Sequence, residues 1–169
     1  MDWTHITQIA AAFLLVLSAL MLGSLIPGGP IENRNFSHIP AWILACFNVF
    51  LTVLGLGSLI CAYFVFMGSS IGFVLALICG LSYAFVYIID LAGWFPKTPD
   101  AMPKVLYWVE VIGTVVALPL VVSSIYLIKQ SSGEDMGSLS GIDPWLLVGM
   151  VIIGFVIIGF ATRAAMNRI

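Results

Sequence analysis

The sequence predicts an all-α fold, a polytopic bundle of five transmembrane helices, on three observations. Hydrophobic residues make up 62% of the 169-residue chain and charged residues 8%, whereas soluble domains carry roughly a quarter charged side chains. The apolar residues fall into five runs, approximately 9–26, 41–67, 71–94, 105–128 and 145–162, each close to or above the roughly 20 residues that a helix needs to cross a bilayer. Prolines and charges lie almost entirely between the runs, which leaves no stretch large enough for an extramembrane domain. Residues 1–169 therefore read as a single transmembrane domain.

The first run follows Met1-Asp2-Trp3-Thr4-His5. A signal peptide would want a basic segment there, so the run reads as a retained span with Trp3 as an interfacial anchor. Pro27-Gly28-Gly29-Pro30 stops it, because that composition cannot sustain a helical hydrogen-bond ladder. A polar loop continues to Pro40. The second run contains Asn48 and a patch of small residues, Gly55, Gly57 and Ser58. Only Gly68-Ser69-Ser70 separates it from the third run, so these two helices are antiparallel neighbours. In the third run Gly68, Gly72, Ala76, Gly80 and Ala84 recur every four residues, the small-xxx-small pattern that lets two membrane helices approach closely. The proline-rich segment Phe95 to Pro103 ends it. Pro119 lies inside the fourth run and is expected to kink it. After the Ser- and Gly-rich connector Lys129–Asp143, Asp143-Pro144 reads as an N-cap with proline at the first helical position. The fifth run presents Gly149, Gly154 and Gly159 among Val and Ile as a candidate intermolecular face. Trp42, Trp94, Trp108 and Trp145 join Trp3 near span ends, as in an aromatic belt.

Five spans put Arg34, Lys97, Lys104, Arg163 and Arg168 on one side of the membrane and Lys129 alone on the other. By the positive-inside rule the first side is cytoplasmic, giving N-out and C-in, and the expected location is a bacterial inner (plasma) membrane.

Asp90 and Glu110 are the two charges inside the runs. An ionisable group in a membrane segment costs on the order of 3 kcal/mol on insertion scales, so it normally faces the protein interior with a partner. At 1.5 Å per residue Asp90 lies roughly 6 Å, and Glu110 and Asn48 roughly 9–10 Å, inside the cytoplasmic boundary. Helical phase sets Tyr83, Tyr87 and Asp90 near the small-residue groove, and Tyr107, Glu110, Gly113, Thr114 and Ala117 on one face of the next helix. The candidate polar cluster is therefore Asn48, Asp90 and Glu110. Two carboxylates at close quarters can share a proton, and such pairs recur in transport pathways. The plainer alternative pairs them with Lys97, Lys104 or Arg34 as bundle-holding ion pairs. Glu32, Arg34 and His38, with Tyr83 and Tyr87, are candidates for a cytoplasmic-side binding site.

The net charge of −2 and the absence of any Lys/Arg cluster exclude a nucleic-acid partner. Cys46, Cys61 and Cys79 fit no metal spacing and read as small buried hydrophobes. His5 and His38 fall on opposite sides of the membrane, which argues against a bis-histidine haem. No cofactor or metal is expected, and no catalytic motif occurs. The leading expectation is a non-catalytic membrane protein, either an accessory or structural subunit of a membrane complex or a homo-oligomer, with membrane lipid and other membrane subunits as partners. The first alternative is a small transporter or channel using Asn48, Asp90 and Glu110. A lipid- or quinone-binding membrane enzyme comes third and requires a pocket joining His38 and Arg34 to Tyr83, Tyr87 and Glu110.

Overall fold

A computed structural model describes residues 2–131 and 143–166. The described residues form five helices long and apolar enough to cross a membrane, and no strand. They are α1 (Trp3–Ser24), α2 (Ala41–Phe66), α3 (Ser70–Leu91), α4 (Lys104–Gln130) and α5 (Pro144–Met166). Helices α1 and α5 extend beyond the hydrophobic runs, because Thr4, His5 and Gln8 at one end and Arg163 at the other continue the helical ladder through polar residues. Arg168 and most of the connector between α4 and α5 lie outside the described residues.

The ends of α2 and α3 are set by glycines with left-handed backbone, Gly68 at φ 76° and Gly93 at φ 65°. At each end the glycine N–H donates to the carbonyl three residues back (Val65, Asp90), and the following N–H donates five residues back (Ser69 to Phe64, Trp94 to Ile89). This pairing satisfies carbonyls that the helix end would otherwise leave open. It also ends α3 at Leu91 rather than Trp94, with Asp90 in its last turn. The Asp143 Oδ1 atom accepts from the Trp145 N–H at 2.9 Å, so Asp143-Pro144 opens α5 as the sequence suggests. Pro119 is contained within an uninterrupted α4.

Helices α1 to α4 close into a ring. Helix α3 packs most extensively on α4, α1 on α2, and α1 closes the ring against α4, whereas α5 packs on α2 alone among the helices. The core is a continuous apolar cluster running from Ala11 and Leu15 through Val65 and Ala76 to Leu120 and Leu127. The period-four stripe of α3 divides between two neighbours rather than forming one groove. A Cβ on Gly72 would sit 2.8 Å from the Phe64 carbonyl carbon of α2, and one on Gly80 would sit 3.0 Å from Val121 Cγ2 of α4. Gly68 lies in the turn before α3, Ala76 is fully buried and Ala84 is half-buried against the core. Gly154 packs on Thr52 and Leu56 of α2, whereas Cβ atoms on Gly149 and Gly159 would meet nothing within 4 Å. Five residues advance a helix by about 140°, so the three glycines cannot share an intermolecular face.

Candidate functional site

The loop between α1 and α2 folds back over the end of the bundle and is stitched to the loop between α3 and α4. The Asn35 N–H donates to Asp100 Oδ2 at 2.7 Å, Thr98 Oγ1 donates to the Asn35 carbonyl at 3.0 Å, and His38 Nε2 donates to the Lys97 carbonyl at 2.7 Å. Gly28, at φ 90°, lets the loop pass so close to α5 that a Cβ there would meet Ala164 Cβ at 2.7 Å, and the Phe36 N–H donates to the Ala165 carbonyl. With both flanks held, Arg34 turns inward and is only 4% exposed.

Its guanidinium is held by two carboxylates. Nη1 and Nη2 donate to Asp90 Oδ1 and Oδ2 at 2.8 and 2.6 Å, Nη2 also donates to Glu32 Oε2 at 2.6 Å, and Nε donates to both Glu32 oxygens. Such two-pronged pairing uses the planar fork that arginine has and lysine lacks. Phe36 lies under the group, its ring centroid 5.3 Å from Cζ. Burial alone would lower the Arg34 pKa, but the hydrogen bonds and charges of Asp90 and Glu32 outweigh it and hold the guanidinium above its ordinary value.

Glu110 sits beside this clasp, and the charges of Asp90, Arg34 and Glu32 all act on it. It is 2% exposed, and its Oε2 has no hydrogen-bond partner among the described residues. The Tyr87 hydroxyl, on a side chain 1% exposed, is likewise without one. Tyr87 is held by stacking on Tyr83 at 6.3 Å and by Gly113, where a Cβ would meet the ring at 2.5 Å. Glu110, Tyr87, Asp90, Arg34, Glu32 and Asn48 together line a cavity of about 60 Å³, room for a few water molecules or one small group. An outer recess of about 380 Å³ shares Arg34, Asp90 and Pro96 with it and continues to Lys97, Thr98 and Asp100. The ion pair thus stands between the recess and the cavity. Three carboxyl groups against one guanidinium make the site attractive to a proton or a cation and repellent to an anion.

Asn48, Asp90 and Glu110 line this one cavity, and Glu32, Arg34 and Tyr87 line it with them. Asn48 spends its amide N–H on Thr162 Oγ1 of α5 at 3.0 Å. Two expected members are elsewhere. His38 is exposed on the Lys97 carbonyl, because the tie between the loops turns it outward. Tyr83 lies one turn further into the bundle and donates to Ser58 Oγ at 3.0 Å. The pocket that a quinone-type enzyme would need thus lacks two of its five residues. Tyr107, which shares a helix face with Glu110 by phase, is half exposed. Phe36 and Thr162 are the contributors that sequence reasoning missed. Neither carries a pattern that marks it.

Fold and site define a class: a multi-pass helical bundle with a buried charge cluster at its loop-covered end. The chain belongs to the family described as a domain of unknown function, DUF8051, whose model matches residues 7–138. No match occurs among curated proteins or among solved structures. The matched segment contains the charged residues of the cluster, Glu32, Arg34, Asp90 and Glu110, and stops short of α5.

Proposed function

We propose that this protein is a small, non-catalytic membrane transporter that takes up a proton or another small cation at Asp90 and Glu110. The observation that carries this reading is the unpartnered Glu110 Oε2, buried in a cavity beside Asp90. A buried carboxyl without a donor is costly to keep unless something fills that role part of the time. The proposed orientation is N-out and C-in across a bacterial-type plasma membrane. Arg34, Lys97, Lys104 and Arg163 at the clasp end against Lys129 at the other support it. Infrared difference spectroscopy of the protein in lipid tests the site. A pH jump is expected to produce a protonated-carboxyl band that is missing in Glu110→Gln. In vesicles, Glu110→Gln is expected to slow proton or Na⁺ flux at least tenfold. An unchanged band together with unchanged flux would overturn the proposal.

A second reading is favoured by one specific observation. Helix α5 touches α2 alone among the helices and leaves Trp145, Val151, Ile152, Phe155, Val156 and Phe160 more than half exposed. This supports an accessory subunit or homo-oligomer that assembles through α5. Native mass spectrometry of gently solubilised membranes tests it, since a strictly monomeric, partner-free protein excludes assembly.

A further inference from the structure

Two buried polar groups without hydrogen-bond partners among the described residues, the Tyr87 hydroxyl and Glu110 Oε2, belong to side chains that line one small cavity. An N–H donor placed between them serves both oxygens. The guanidinium's hydrogen bonds go to Glu32 and Asp90, and the Asn48 amide nitrogen donates to Thr162.

A second feature lies on the lipid-facing side. Helices α1 and α5 do not pack on each other, although both pack on α2. The groove between them holds two apolar recesses, of about 140 and 430 Å³, that share Gly23, Ile26 and Ile157. The inner recess abuts the polar cavity along Leu22, Leu25, Pro27, Asn48 and Leu51, which line both. An apolar slot that is open to a bilayer therefore ends at a cluster of buried carboxyls.

We infer that the site accepts a lipophilic primary ammonium ion. The ammonium occupies the 60 Å³ cavity against Glu110 and Tyr87, and the alkyl chain lies in the groove between α1 and α5. A primary ammonium offers three N–H donors on a compact head, whereas a quaternary head offers none. Three carboxyls to one guanidinium disfavour any anionic head. This inference rests on the cation site proposed above and names the class of its cargo.

The test uses the full chain in phosphatidylcholine nanodiscs, with dodecylammonium and dodecanol as probes and native mass spectrometry as readout. Wild-type protein is expected to retain dodecylammonium at least tenfold better than dodecanol, the difference that one charge-assisted hydrogen bond makes. Glu110→Gln is expected to abolish that preference. Gly23→Phe, at an open position where a Cβ meets nothing within 4 Å, is expected to weaken dodecylammonium retention by obstructing the groove, with the pH-dependent carboxyl band preserved. Equal retention of the two probes, or a preference unchanged in Glu110→Gln, overturns the inference. Retention unaffected by Gly23→Phe overturns the lateral site for the chain. Loss of amine binding with the carboxyl band intact rejects the ammonium and leaves the cation site standing, whereas absence of both rejects the two together.

Discussion

At the scale of single residues, Arg34 is the group on which the others depend. Removing one member of a buried ion pair strands the remaining charges and costs about 3–5 kcal/mol. Arg34→Ala is therefore expected to lower the thermal unfolding midpoint in detergent sharply, and Arg34→Lys to recover only part of it, because lysine cannot make the two-pronged contacts with Glu32 and Asp90. Because the folded pKa of Arg34 is raised, its contribution is present at every pH below the unfolded arginine value and fades only as pH rises through the folded one. The gap between wild type and Arg34→Ala should accordingly stay constant from about pH 7 to about pH 8. The cluster was partly legible in advance. Depth and phase brought Asn48, Asp90 and Glu110 together, and Arg34 stood among three cationic candidates. That Arg34 rather than Lys97 or Lys104 turns inward depends on how two loops are tied at Asn35, Thr98 and His38. Such ties have no periodicity to read.

At the scale of elements, apolar runs located all five helices, and turn chemistry explains their ends. The stripe on α3 shows where pattern reading stops. A four-residue step advances a helix by about 400°, so the stripe drifts about 40° per step. Two steps from Gly72 to Gly80 thus turn it from α2 toward α4. The drift was computable, but the positions of the neighbours were not. Gly72→Ala meets backbone of α2 and is expected to cost about 1–3 kcal/mol by overpacking. Gly57→Ala, where a Cβ meets nothing within 4 Å, is expected to be neutral or slightly stabilising, since alanine is the better helix former. Paired unfolding measurements on the two variants check this contrast.

At the scale of the whole molecule, the ring of α1 to α4 and the satellite α5 are distinct in packing, and hydropathy could not separate them because all five helices are apolar enough to cross a membrane. Truncation after residue 142 is expected to leave the ring folded, with the Asn48–Thr162 and Phe36–Ala165 links lost. Far-ultraviolet circular dichroism and the elution volume in detergent would check it. The proposed orientation predicts that an impermeant thiol reagent reaches a cysteine placed at Lys97 from the cytoplasmic side and one placed at Lys129 from the opposite side. The clasp also constrains the order of biogenesis. Arg34 and Glu32 emerge from the ribosome with the first loop, whereas Asp90 is synthesised more than fifty residues later, at the end of α3. In the membrane placement proposed above, the guanidinium until then has Glu32 as a carboxylate partner but lacks Asp90, and Arg34 is expected to keep its loop on the water-facing side. Closure of the first loop over the bundle is accordingly expected to follow insertion of α3, and a nascent chain that fails to insert α3 is expected to keep a protease-accessible first loop.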